Sequence, residues 1–269
     1  MSDGTALGDR MKQYEQVNKA FLPRRTYTVI RVDGKAFHSY LRHAEKPFDS
    51  SVMEIMDETA QALCKEVSGT VFAYTQSDEI SLLLQDFASV HTEPWFGGNV
   101  QKMASVAAST ATAAFNWEMF KRGPDVMFQP GKAMFDARVF TIPDPVEVAN
   151  YFLWRQRDAV RNSISMAAQA HFSHKELQGL NGNQMQEKLW QEKKVNWNDY
   201  PGRAKRGGIC VKVLKEEEVV FVNKKTQEQE TVFPFRTIWE SGSAPHFDVS
   251  PDGFLVGIIP GRSHFPFSW

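Results

Sequence analysis

The sequence predicts an α+β fold built on a ferredoxin-like split βαββαβ core, with an appended, mostly helical and partly β extension. Three observations predict it. Runs rich in β-branched and aromatic residues at 26–33, 71–74, 80–84 and 133–142 read as strands bounded by turn residues. Two stretches between them, 51–67 and 100–120, have helical length and spacing. The order strand, helix, strand, strand, helix, strand is that of the split arrangement, and right-handed crossovers limit how it closes.

Taken in order, residues 6–22 have mixed polarity and read as a leading helix before Pro23. Val29, Ile30 and Val32 suit a buried strand, which Asp33-Gly34 then breaks because glycine tolerates turn angles closed to bulkier residues. A loop through Lys46-Pro47-Phe48-Asp49 follows, and Asp49 or Ser50 can cap the next helix. Val52, Ile55, Met56, Thr59, Ala60 and Leu63 give that helix an apolar stripe. Residues 71–74 and 80–84 are the arms of a hairpin whose tip is the polar run between them, Thr75-Gln76-Ser77-Asp78-Glu79. The run 100–120 is rich in Ala, Ser and Thr and is expected to pack closely on another element. Residues 123–131 form a proline-containing connection to the fourth strand.

The second half differs in character. Residues 147–172 are helical in pattern, and 184–193 form a further helix. A basic loop, Arg203-Ala204-Lys205-Arg206-Gly207-Gly208, leads into a strand at 209–214. Residues 216–222 and 230–233 make a hairpin around Asn223-Lys224-Lys225. The expected organisation is a catalytic core at 1–143, an extension at 144–240 leaning on it, and a loosely structured tail at 241–269.

The 269 residues carry a net charge of -1, so no global field steers the chain to nucleic acid, and any such site is a local patch. Cys64 and Cys210 show neither metal-ligand spacing nor a disulfide framework, which fits a reducing, cytoplasmic setting. No apolar run approaches the roughly 20 residues of a membrane span, and the polar opening residues are unlike a signal peptide. No membrane partner is expected.

With the usual spatial order 4-1-3-2, the first and second strands point the same way, and Asp33 shares a rim with Asp78. The two carboxylates could share two Mg²⁺ ions, with the Gly34 carbonyl as a further ligand. Glu79 reads as a ligand, an orienting group or a strand-flank charge. Backbone N–H groups of Lys35, Ala36, Phe37 and His38 are candidates to grip a triphosphate. His38 meets phosphate or base, or is a packed histidine at a helix start. Lys46, Ser77 and Lys102 are candidate phosphate contacts, with a solvated helix face as the alternative for Lys102. Arg155, Arg157 and Arg161 on a helix, and Arg203, Lys205 and Arg206 in the basic loop, can neutralise an RNA backbone or simply be solvated surface. His91, His171, His174, His246 and His264 lack coherent metal spacing.

These motifs resemble those of the tRNA(His) guanylyltransferase family and its bacterial and archaeal like-proteins, the 3′-to-5′ polymerases. The resemblance rests on the segment from Arg31 to His38, on Lys46-Pro47 and Asp49, on Ala73 to Glu79, on Phe135-Asp136-Ala137-Arg138 and on Tyr151 to Gln156. It implies a palm-like catalytic domain, two Mg²⁺ ions and a homo-tetramer that adds nucleotides to the 5′ end of tRNA, with ATP activating the 5′ phosphate and GTP or another NTP added. The family's metal ligands fall on Asp33, the Gly34 carbonyl and Asp78, and its nucleotide-binding segments on Asp33 to His38 and on Ser77-Asp78. Where eukaryotic members carry His-Ile-Asn-Asn, this chain has Val160-Arg161-Asn162-Ser163, with Arg161 and Asn162 counted as RNA-facing. Absence of that histidine shifts the expectation to template-dependent repair of tRNA 5′ ends. The alternative is tRNA(His)-specific guanosine addition. Two further readings are a palm-type nucleotide cyclase and a non-catalytic RNA-binding module. An RNA-handling second half stands against the first, and carboxylates on the rim in place of stacking aromatics stand against the second.

Overall fold

The computed structural model describes residues 5–123, 131–222, 224, 227–248, 250 and 253–261. The first half runs α1 (Ala6–Gln16), β1 (Tyr27–Gly34), α2 (Phe37–Tyr40), α3 (Ser50–Glu66), β2 (Thr70–Gln76), β3 (Glu79–Leu84), α4 (Val100–Lys121) and β4 (Phe135–Ile142). The second runs α5 (Pro145–Gln169), α6 (His174–Leu177), α7 (Gly182–Lys188), α8 (Gly202–Arg206), β5 (Gly208–Glu216), β6 (Val219–Val222), β7 (Gln229–Val232), β8 (Phe235–Ser243) and α9 (Phe254–Ile258). Mixed helices and antiparallel strands make up the chain. Six strands form one sheet in the order β4-β1-β3-β2-β5-β8, with every neighbouring pair antiparallel.

Strand alternation covers both faces of this sheet. Ile30, Val32, Ile80 and Leu82 face α3 and α4, whereas Val29, Phe72, Tyr74 and Leu83 face α5. On α4 the buried residues Met103, Ala107, Ala111, Phe115 and Met119 recur every fourth position, and the two alanines permit the close packing expected of this helix. Asp49 caps α3, its Oδ1 accepting from the Val52 N–H at 3.1 Å. Asp144 likewise caps α5 through the Val146 N–H at 2.8 Å, with Pro145 in the first turn, so this helix starts earlier than its apolar pattern suggested.

Several boundaries differ from expectation. The leading helix stops at Gln16, short of residue 22. Residues 184–193 divide between α7 and a wider turn at Leu189–Lys193. The basic loop is a single helical turn, α8, ended by Gly207 at φ 83°. The described part of the tail, within 241–261, is not loose. β8 pairs with β5 along its whole length, and Ala244, Phe247, Leu255 and Ile259 are buried against α5 and the sheet. The Gln156 amide pins this segment, donating to the Pro245 carbonyl at 2.8 Å and accepting from the Phe247 N–H at 2.7 Å. Tyr27 donates its hydroxyl to the Pro260 carbonyl. Because β5 also bonds β2, the second half continues the core sheet across residues 143 and 144.

The β6–β7 hairpin pairs as expected, although Asn223 and Lys225 of its turn lie outside the described residues. Most of the connection 123–131 and His264 lie outside them too. No helix among the described residues is long and apolar enough to cross a membrane. If the tail is part of the core, Phe247→Ala should cost about 3–5 kcal/mol of stability, as for other fully buried aromatics. Urea denaturation measures this, and an unshifted midpoint would return the tail to the periphery.

Candidate active site

The end of β1 and the β2–β3 turn meet on one rim. Asp33 pairs with Glu79 across β3, and the Gly34 N–H donates to the Asp78 carbonyl at 3.1 Å. On the other flank Asp33 faces Asp136 of β4. A Cβ on Gly34 would stand 2.4 Å from the Phe37 ring, so only glycine lets the chain turn tightly over that buried aromatic. Two non-glycine residues next to the carboxylates take left-handed backbone, Ala36 at φ 56° and Ser77 at φ 48°. Each costs about 1–2 kcal/mol, a strain common where loops are shaped for a ligand.

Burial holds the Asp78 carboxyl above its ordinary range, and the charges of Asp33 and Glu79 push the same way against hydrogen bonds from its own backbone and Ser77. Asp33 is held from one side by Arg31, whose guanidinium reaches its Oδ2 at 3.3 Å, and Arg138 lies 3.8 Å from the same oxygen. Glu79 is buried and committed within the protein. Both its oxygens accept from Arg155 at 2.8 Å, and Arg31 Nε lies 3.1 Å away as an ion pair bent outside hydrogen-bonding geometry. The Ser81 hydroxyl, 3.0 Å from Tyr151 Oη, donates to Glu79 at 3.3 Å. These contacts leave the Glu79 oxygens occupied by protein groups.

The loop after Gly34 is divided. The Lys35 N–H is spent on the Met134 carbonyl at 2.8 Å, which removes it from the expected phosphate grip. The Phe37 side chain is buried against Phe115 and Phe135, leaving only its backbone for the rim. The start of α2 has no side-chain cap, and His38 is exposed. Beside the rim a cleft is lined by Lys46, Phe48, Asp49, Gln76, Ser77, Asn162, Met166 and Arg203, among others. Lys46, Ser77 and Asn162, distant in sequence, are thus brought together.

Other expected residues lie elsewhere. Lys102 begins α4 at the far end of the sheet, because β3 runs away from the rim, and its ammonium sits 4.9 Å from the Phe96 ring. Arg155, expected to face RNA, is 5% exposed and locked to Glu79. Arg203 is bound bidentate by Asp57, through Nε at 3.0 Å and Nη2 at 2.9 Å, tying α8 to α3. Lys205 donates to the Asn198 carbonyl, and Arg206 is partly buried. Arg157 and Arg161 are exposed, the latter paired with Asp158 at 2.6 Å. Arg31 and Tyr151 entered the sequence reading only as parts of longer motifs, and Ser81 and Asp158 not at all. The one available signal was alternation, since Arg31 and Asp33 flank Val32 and must share a face.

Among the described residues no three His, Cys, Asp or Glu side chains gather as a metal site. With Glu79 committed to arginine, the rim still offers the Asp33 and Asp78 carboxylates, Asp136 across from Asp33, and backbone oxygen, a hard donor set that suits Mg²⁺ when substrate phosphates complete the shell. If Arg155 serves Glu79 and not RNA, Arg155→Ala should cost about 3–5 kcal/mol of stability, the usual penalty for orphaning a buried charge. The salt dependence of RNA binding should not change. Denaturation and salt-titrated binding check the two halves, and a flattened salt slope in a fully stable variant would restore Arg155 to the RNA face.

Comparison with known proteins identifies the family of the chain. The family profile described as tRNAHis guanylyltransferase matches residues 8–143. A solved bacterial tRNA(His) guanylyltransferase-like protein in complex with ATP is 42% identical, with a TM-score of 0.77 over 90% of this chain and 94% of that one. A structure of such a protein in complex with GTP is 40% identical, with a TM-score of 0.72 over the same shares. The tRNA(His) guanylyltransferase of Debaryomyces hansenii is 29% identical over 215 residues, covering 75% of this chain and 78% of the relative. These likenesses place the chain in the tRNA(His) guanylyltransferase family of nucleotidyltransferases acting on tRNA.

Proposed function

We propose that the protein is a template-dependent 3′-to-5′ nucleotidyltransferase that repairs tRNA 5′ ends, working from a palm-type core. The observation that carries this reading is the convergence of Asp33, Gly34 and Asp78 on one rim beside a cleft lined by Lys46, Ser77 and Asn162. ATP- and GTP-bound relatives support nucleoside triphosphates as substrates.

Asp33, the Gly34 carbonyl and Asp78 would hold two Mg²⁺ ions. When bound, these neutralise the triphosphate and make the attacking hydroxyl a better nucleophile. The Arg31 guanidinium keeps the Asp33 carboxylate aimed at the rim while Glu79 keeps Arg31 in place. Lys46 and Ser77 border the phosphates, and the uncapped start of α2 presents backbone donors to them. In the activation step the tRNA 5′-phosphate attacks the α-phosphorus of ATP, and pyrophosphate leaves. In the addition step the 3′-hydroxyl of the incoming nucleotide attacks the 5′-phosphorus, and AMP leaves. A 5′-triphosphate end skips activation and loses pyrophosphate.

Val160 stands where eukaryotic members have a histidine and offers no hydrogen bond to a base edge, which favours repair over tRNA(His) selection. A tetramer fits the exposed Leu7, Met11, Tyr14 and Val17 of the leading segment, none of them buried within this chain. Two free, buried cysteines accord with the cytoplasm.

Asp33→Asn or Asp78→Asn should reduce nucleotide addition by at least about a hundredfold with the fold retained, since each ligand supports several kcal/mol of transition-state charge. Labelled-NTP transfer measures this, and near-normal turnover in either folded variant would refute the assignment. Substrate choice is the second test. Several tRNAs, each lacking its first nucleotide, should be extended with comparable efficiency by whichever NTP pairs with the opposing base. Strong preference for full-length tRNA(His), with guanosine added, would select the alternative.

A further inference from the structure

A second concave surface lies on the outer side of α5, lined by Trp154, Gln156, Arg157, Val160, Arg161 and His246. Trp154, Arg157 and Arg161 fall at i, i+3 and i+7 and so share one helical face. Trp154 is 49% exposed, and one face of its ring is covered by the Arg155 guanidinium at 4.5 Å. Because Arg155 is itself locked to Glu79, the indole is held on a fixed support. His246 comes from the tail. Its neighbours Pro245 and Phe247 are both bonded through their backbones to the Gln156 amide, so this wall is fixed as well. Val160 supplies an apolar floor, and no carboxylate among the described residues lines the groove.

Resting on the RNA-handling reading above, we infer that this groove binds an unpaired RNA base, which stacks on Trp154 while Arg157 and Arg161 take the phosphates on either side. A flat aromatic with cations beside it suits a nucleotide better than an aliphatic partner. Arg157 has no ion-pair partner among the described residues, and a phosphate would compete only with Asp158 for Arg161. The Gln156 amide is spent on the tail and Val160 cannot hydrogen-bond, so stacking, which every base can supply, outweighs readout of base edges even with the His246 imidazole on the wall. Such indifference to sequence is what a repair enzyme serving many tRNAs needs. The unpaired base could come from the 3′ overhang of the acceptor stem or from a tRNA loop.

The test uses the full-length protein and fluorescence anisotropy with three labelled RNAs: a minihelix with a single-stranded 3′ end, a blunt hairpin with an unpaired loop, and a blunt duplex. RNA with unpaired nucleotides should bind more tightly than the duplex. Trp154→Ala should erase that advantage, weakening binding roughly five- to a hundredfold, the range for removing one base stack, whereas Trp154→Phe should keep most of it. The arm that weakens identifies the source of the base. The double variant Arg157→Ala/Arg161→Ala, altering two exposed side chains, should lower the salt slope by roughly 0.7 for each phosphate no longer neutralised. Unchanged binding of Trp154→Ala in every arm, or an equal weakening with blunt duplex, would overturn the inference. Transfer measured at saturating RNA separates the two readings. Absence of product from the wild-type protein defeats the nucleotidyltransferase reading, whereas normal product with Trp154-independent binding defeats only the groove.

Discussion

The buried carboxylate of Glu79, gripped by Arg155 and approached by Arg31, is the constraint on which the rest of the site depends. A charge withdrawn from water this far persists only when its partners are charged, close and well aligned. Here both oxygens meet one guanidinium at 2.8 Å, and the second arginine bridges onward to Asp33. One interaction thereby ties β3 to β1 and docks α5 over the sheet. It also fixes the direction of a rim carboxylate whose own surroundings are partly open to solvent.

Three consecutive residues of α5 use this docking in three directions. Arg155 points into the sheet, Gln156 toward the tail and Trp154 outward. Helical geometry separates them by about 100° each, so one short segment joins the carboxylate rim, the C-terminal segment and an exposed aromatic platform. On the opposite flank, the left-handed Ala36 and Ser77 and the crowding of Gly34 by Phe37 shape the two rim loops. The apolar layers on the two faces of the sheet offset that strain.

The shared rim of Asp33 and Asp78 was legible in the sequence, and the reason is topological. Asp33 and Asp78 each follow a recognisable strand, and a right-handed strand–helix–strand crossover leaves only one way to bring those ends together. Charged side chains were harder to read, because sequence shows a cation but not its partner. Arg155 lies 76 residues from Glu79, and Arg203 lies 146 from Asp57, so both looked like free surface charge. Lys102 misled for a different reason: its helix starts only after β3 has carried the chain away from the rim. The tail was misread because Phe247, Leu255 and Ile259 are scattered among prolines and glycines, without the period that marks a buried helix or strand.

The central claim is that Asp33 and Asp78 receive the metal–nucleotide complex, with Glu79 reserved for the arginines. Electron paramagnetic resonance of Mn²⁺, titrated into the protein with and without ATP, addresses it most directly. The account predicts ATP-dependent Mn²⁺ binding to the wild-type protein and its disappearance in folded Asp33→Asn and Asp78→Asn variants. Wild-type Mn²⁺ binding in both variants would contradict it.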